Sequence, residues 1–399
     1  MLRYFSILSA SSVRRSMIQG LLRTTYKDSS SESTSSYRRS TIVGLSAGRW
    51  PLDDLTLEIT NYCLLDCMHC SSESSRRHSE TLPLRTVKRV VTDFAELGGK
   101  TLEISGGEPL CRKGLPEIVR HAKELGLETC LFSCGVFHLR QLTTGKDGLR
   151  FKVRELKRLG IDKVFVTLHG SNEEYHNQIS RRPSFERTSR FIKELVSEGI
   201  FVGVHFVPVH ANFDNIDDVV RYCEHLHVKE VALLRFVPQG RGKKNAKLLK
   251  LTQEETLQLA NLLNDEKNTK NSIVRVGSHL DFTFFFDKKH KPKPCTAGIS
   301  KCLVTSGGKV FPCAVFKGLK EFVAGDVTKA SLAKIWTDSE AFQRLREFDH
   351  MRLKGLCKPC EFRSRCRGRC PAQRYYQSHD LYQGPDPYCP KPALDLLQG

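Results

Sequence analysis

The stretch NYCLLDCMHC, Asn61 to Cys70, sets Cys63, Cys67 and Cys70 in a C-x3-C-x2-C spacing with no fourth cysteine beside them. Thiolates this dense in one loop are metal ligands. Three of them suit zinc with His69 or His78 as the fourth ligand. They equally suit three irons of a [4Fe–4S] cluster whose fourth iron is left open. His69 neighbours Cys70 on a short turn, so the two reach a single ion only with difficulty. A second chemical cue is SGGEP, Ser105 to Pro109. Its two glycines let the backbone approach a ligand closely, and Glu108 offers a carboxylate suited to an ammonium group.

The C-terminal segment is denser still. It reads Cys295-x12-Gly308-x4-Cys313, then Cys357-x2-Cys360-x5-Cys366-x3-Cys370, then Cys389. Pairs of this kind also occur in zinc ribbons. Cys111, Cys130, Cys134 and Cys223 fit no ligand spacing and read as buried free thiols. The chain has 15 cysteines in 399 residues. A secreted disulfide scaffold is normally much shorter, so the count points to a metalloprotein in a reducing compartment.

These residues need a frame. From Leu55 strand-like and helical runs alternate: LTLEIT, then a helical run with Val87, Val90, Val91, Phe94 and Leu97 on one face, then TLEIS. Further strand-like runs at 127–132, 163–168, 201–208 and 231–237 alternate with helical runs through residue 226. Six such repeats predict an α/β fold on a parallel sheet, doubly wound or an open or closed barrel. Either frame puts the loops after the strands, and hence both motifs, at the reactive end. A helical run at 252–265 and the basic run DKKHKPKP then lead to the cysteine-rich tail.

C-x3-C-x2-C after the first strand, with GGEP after the second, resembles the radical S-adenosylmethionine (radical SAM) superfamily. The tail cysteines, with CTAG and GGKVFPC, resemble the SPASM domain found on many such enzymes. The resemblance implies a partial (βα)6 TIM-type barrel at 51–240, a helical bridge and linker at 241–294, and a SPASM domain at 295–399. It implies a [4Fe–4S] cluster on Cys63, Cys67 and Cys70 whose open iron chelates S-adenosylmethionine (AdoMet). Gly106, Gly107, Glu108 and Pro109 would hold the AdoMet amino group. One electron would cleave AdoMet to a 5′-deoxyadenosyl radical that takes hydrogen from a substrate. LFSCGVF resembles the strand end that meets the AdoMet sugar, with Ser133 in contact, although Cys134 stands where asparagine is usual. Thr167 replaces a usual serine and His169 a usual aspartate, and Arg181 would meet the AdoMet carboxylate or ribose. By analogy two auxiliary [4Fe–4S] clusters follow: Cys295, Cys313 and Cys370 on the first, and Cys357, Cys360, Cys366 and Cys389 on the second. The first lacks a fourth ligand, which is either Cys302 or an open position for substrate. Arginines beside these cysteines, Arg363, Arg365, Arg367 and Arg369, would raise cluster potentials, bind an acidic substrate or form a solvated face.

The expected activity is oxidative modification of a peptide or protein side chain. The alternative is a dehydrogenase or epimerase acting on a small molecule, a sugar or a cofactor or antibiotic precursor. A third reading is a non-catalytic iron–sulfur or zinc protein, which GGEP argues against. Expected partners are a low-potential electron donor such as flavodoxin or ferredoxin, the substrate, and a separate leader-binding protein. The net charge of +19 favours anionic partners. No run of 18 apolar residues exists, so no membrane span is expected. Residues 1–50 hold eight Lys or Arg and two acidic residues, and read as a low-complexity extension. A cytoplasmic location follows, with mitochondrial targeting by that extension as the alternative.

Overall fold

The structure is a computed structural model. It describes residues 50–138, 148–264, 273–277, 279–287 and 289–392. The extension at 1–49, and with it the targeting reading, lies outside the described residues. The described residues fall in one compact unit.

Each βα repeat forms where the apolar spacing placed it. β1 (Asp54–Glu58), β2 (Thr101–Ser105), β3 (Glu128–Ser133), β4 (Lys163–Thr167), β5 (Phe201–Phe206) and β6 (Glu230–Leu233) pair in parallel in sequence order. The connecting helices are α1 (Leu84–Glu96), α2 (Leu115–Glu124), α3 (Gly148–Arg158), α4 (Glu173–Ser180), α5 (Phe185–Ser197) and α6 (Ile216–His225). α1 buries Val87, Val90, Val91 and Phe94, the i, i+3, i+4, i+7 stripe that a helix lays against a sheet.

The sheet is larger than six strands. β7 (Val274–Val276) adds in parallel to β6 from within the expected linker region. β8 (Lys301–Val304), from the cysteine-rich tail, adds in parallel to β1 and continues antiparallel to β9 (Lys309–Phe311) and β10 (Gly325–Asp326). The order is β10-β9-β8-β1-β2-β3-β4-β5-β6-β7, an open barrel whose tail is hydrogen-bonded to its first strand. Alternation along the strands separates two faces. Leu55, Leu57, Leu102, Ile104, Val164, Val166, Cys302 and Val304 join the hydrophobic core. Thr56, Glu58, Glu103, Ser105, Thr167, His205, Lys301 and Leu303 face a cavity inside the barrel.

Candidate active site

The loop after β1 carries the first three cysteines and is fixed through its backbone. The amides of Asp66 and Met68 donate to the carbonyls of Ser180 and Ile179 at the end of α4 (3.3 and 2.8 Å). Arg241 holds the other side. Its Nε donates to the Cys67 carbonyl (2.9 Å), its guanidinium to the Ser74 carbonyl (2.8 Å), and its amide to the Cys70 carbonyl (3.1 Å). Asn245 Nδ2 donates to the Met68 carbonyl at 3.0 Å. Such bonds leave the thiols free to turn toward the cavity that Cys63, Cys67 and Cys70 line.

The turn after β2 lies directly on this loop. Gly107 N donates to the Thr60 carbonyl (2.7 Å) and Glu108 N to the Tyr62 carbonyl (2.8 Å). A Cβ at Gly106, where φ is +140°, would collide with the Thr60 carbonyl, and one at Gly107 with the Tyr62 carbonyl. The close approach that these glycines permit is therefore to the cysteine loop itself, and both also line the cavity.

Glu108 is fully buried, directly behind Ser133 and Cys134 of the cavity wall. Its carboxylate accepts bonds from Ser133 Oγ (2.9 and 3.0 Å), Cys134 N (2.8 Å), the Cys134 thiol (2.9 Å) and Leu110 N (3.0 Å). A carboxylate with this many protein donors is a strut for the end of β3. Burial raises its pKa above the ordinary carboxylate value. Pro109 starts a buried 3-10 turn, Pro109–Cys111, behind it. Ser133 and Thr167 line the cavity as expected. Arg181 does not. It adopts a left-handed conformation (φ 56°) at the end of α4, and its guanidinium donates to Asn245 Oδ1 at 2.9 Å. Arg182 turns to Asp66 instead (2.5 Å).

The cavity measures about 630 Å³ and is bordered on its far side by the tail, including Cys295 and Cys313. Cys370 is buried close enough for its charge to bear on both of these thiols. The second tail set, Cys357, Cys360, Cys366 and Cys389, lines a separate cavity of about 330 Å³. Cys302 joins neither. On β8 it alternates with Lys301 and Leu303, which face the large cavity, so its own side chain enters the hydrophobic core. The reading of Cys302 as a fourth ligand is thereby corrected.

Comparison with known proteins agrees with this arrangement. Residues 57–226 match the family model of the radical SAM superfamily, and residues 295–361 match SPASM, an iron–sulfur cluster-binding domain. This chain is a radical SAM enzyme with a SPASM domain. It is 28% identical over 347 residues to an AdoMet-dependent heme synthase of Methanosarcina barkeri, across 83% of this chain and 94% of that one. It is 26% identical over 340 residues to the PqqA peptide cyclase of Bradyrhizobium diazoefficiens, across 84% of each. Streptococcus suis SuiB bound to its precursor peptide SuiA has the same fold, with a TM-score of 0.68 at 17% identity over 96% of this chain and 88% of that one. anSMEcpe with AdoMet and a peptide gives 0.63 at 18% identity over 86% and 95%. AdoMet and iron–sulfur clusters, at the radical SAM core and in the SPASM domain, are the cofactors of such an enzyme.

The residues of this radical SAM/SPASM chain fit those groups through their buried charge. Three arginines beside the tail cysteines have donors left over: Arg369 and Arg374, buried in the tail, and Arg235, just after β6. Arg374 has no hydrogen-bond partner among the described residues for any side-chain nitrogen, Arg369 none for two, and Arg235 none for Nε. Buried unpaired cations are costly, and anionic iron–sulfur groups are the partners that such donors fit.

Lys317 and Lys301 escaped sequence reasoning because no motif marks them, and Cys134 stood out only as a departure from the family pattern. Lys317 bonds both Glu58 of β1 and Ser72 of the cysteine loop, tying tail to barrel. Lys301 pairs with Glu103 at 2.7 Å on the cavity floor. Cys134 donates to Glu108 and hydrogen-bonds Cys63, the leading cause of that thiol's lowered pKa. Of the histidines near strand ends, His169 and His205 line the cavity, whereas His210 pairs with Glu255 at the surface and Tyr175 with Asp214. Among the described residues no helix is long and apolar enough to cross a membrane.

Proposed function

We propose that this chain reductively cleaves AdoMet and takes a hydrogen atom from a side arm of a larger substrate, which is thereby oxidised. A peptide or protein side chain is the foremost substrate. The observation that carries this reading is one cavity of about 630 Å³ bordered by Cys63, Cys67 and Cys70 on one side and by Cys295 and Cys313 on the other. That volume lies within the range of ligand sites. It suits AdoMet plus one projecting arm better than AdoMet plus a whole macromolecular segment.

In this reading Cys63, Cys67 and Cys70 hold the AdoMet-binding cluster. Cys295, Cys313 and Cys370 hold the first auxiliary cluster, and Cys357, Cys360, Cys366 and Cys389 the second. When bound, these groups supply the electron for cleavage, the hydrogen-abstracting species and an exit for the substrate's second electron. The chain's residues do the rest. The Gly106–Gly107 turn and Arg241 fix the cysteine loop. Ser133 and Thr167 face AdoMet, and Glu108 acts behind Ser133 as its support. Lys317 bridges the tail–barrel joint through Glu58 and Ser72 at the cavity wall. Flavodoxin or ferredoxin supplies the low-potential electron, and a separate protein presents a leader-bearing substrate.

A second reading rests on a specific observation. The heme synthase similarity runs over 94% of that relative, and a heme precursor also offers side arms on a larger body. The test is anaerobic reconstitution with iron and sulfide counts, then dithionite, AdoMet and deuterium-labelled candidates of each class. Deuterium in 5′-deoxyadenosine from a labelled peptide supports the first reading, and from a labelled tetrapyrrole the second. Full iron without any 5′-deoxyadenosine would sink both.

A further inference from the structure

The segment Cys366–Cys370 joins the two tail cysteine sets, since Cys366 lines the smaller cavity and Cys370 is buried beside Cys295 and Cys313. Arg374 lies one helical turn beyond Cys370, its amide bonded to the Cys370 carbonyl at 3.3 Å. Its side chain is fully buried. The guanidinium rests on the joining segment so closely that a Cβ at Gly368, where φ is +71°, would strike Nη1. One face of the guanidinium is covered by the Phe348 ring, 5.2 Å from its centroid. The stacked face is satisfied by the ring, and the N–H edge is what remains.

That edge has nothing to donate to among the described residues. The nearest carboxylate, Asp386, is already used. It accepts two bonds from Arg235 (2.9 and 2.6 Å), one from Cys370 N and one from Tyr388 N (2.9 Å each). Arg369, also buried, stacks over Phe282 and Phe284 at 5.8 and 6.0 Å and likewise keeps unpaired donors. Arg235, Arg369 and Arg374 share Asp386, and Asp281, which also bears on Arg369, is already bonded to His290, so the cations outnumber the carboxylates and call for further negative charge beside them. Arg374's charge reaches Cys357 and Cys366 of one set and Cys370 and Cys295 of the other.

We propose that Arg374 is a shared counter-charge, placed between the two auxiliary sites so that one guanidinium sets the reduction potentials of both together. This rests on the cysteine assignment above. A cation beside a cluster stabilises its reduced, more negative form, so it raises the potential. One arginine acting on both sites raises both potentials in the same direction, so both become better electron acceptors together. The residue acts through the clusters and is a positioning residue for charge.

The test uses full-length protein carrying Cys63→Ala, Cys67→Ala and Cys70→Ala, so that only tail signals remain, reconstituted anaerobically and titrated under electron paramagnetic resonance. Arg374→Met keeps the volume and removes the charge, and Arg374→Lys restores the charge. With iron content unchanged, the reduced-to-oxidised ratio of both signals at fixed potential should fall about tenfold in Arg374→Met, ~59 mV for a one-electron couple. Arg374→Lys should recover most of it. Unshifted signals, or a shift of only one, would overturn the proposal. If Arg374→Met loses iron while Arg374→Lys keeps the parental amount, the need for a cation stands. If both lose it, shape rather than charge is at work and the proposal falls. A parent with no tail iron would instead overturn the cysteine assignment.

Discussion

The cysteine loop of the barrel and the cysteine sets of the tail hold thiols by opposite means. Around Cys63, Cys67 and Cys70 the protein bonds to itself: carbonyls of the loop accept from Arg241, Asn245 and the GGEP turn. Around the tail thiols, buried arginines keep donors that no described residue accepts. A loop held by its own hydrogen bonds keeps its shape with or without metal. A segment whose cations need an anion depends on the metal group for stability. The difference teaches that the barrel loop is closed by bonds within the protein, whereas the buried tail arginines still have donors to spare.

The largest effect expected is on the chemistry itself. Replacing Cys63, Cys67 and Cys70 by Ala should abolish 5′-deoxyadenosine formation while the tail retains its iron, read by product assay and iron content. Equal loss of tail iron would mean that the sites are not independent. Next comes removal of iron from the intact chain by anaerobic chelation, followed by hydrogen exchange. Protection in the segment 353–389 should fall by at least about tenfold, since each ~1.4 kcal/mol of lost local stability is tenfold in opening. Amides of the loop bonded to α4 and Arg241 should change little. Uniform loss across both regions would erase the contrast.

How much of this was legible in the sequence depends on whether the signal was local. Strand alternation and helical stripes placed β1 to β6, because burial on one face is written into consecutive residues. β7 is three residues long, too short for a period to show. The family resemblance, not the spacing, divided the tail cysteines; Cys295 and Cys313 border one cavity and Cys357, Cys360, Cys366 and Cys389 another, while Cys370 borders neither. The partners of Glu108, Ser133 and Cys134, come from another strand, so the string SGGEP does not show them. Cys302 was readable in principle, since alternation along KCLV sends it opposite to Lys301. Arg241 and Arg374 belong to no motif; bonds to the cysteine loop distinguish the first, and burial the second, from the chain's many surface arginines.

The smallest effect concerns the barrel floor. His205 stacks on Phe165 at 4.6 Å and meets Phe132 edge-on at 4.9 Å. Burial pulls its pKa down to about 4, with Glu103 opposing the shift and Lys301 adding to it. The folded value lies below the unfolded one, so the unfolded chain takes up the proton first as pH falls. The stabilising contribution is therefore complete above about pH 6.5 and is lost as pH falls toward about 4. His205→Gln removes the titration. Between pH 7 and pH 5 the variant should lose about 2 kcal/mol less stability than the parent, in paired melts where all shared acid losses cancel. Parallel losses would mean that the ring is hydrated and ordinary. A ring held neutral at pH 7 on the floor of the cavity is a weak base there, whereas the tail meets the same cavity with Lys301 and Lys317, each paired with a barrel carboxylate, Glu103 or Glu58.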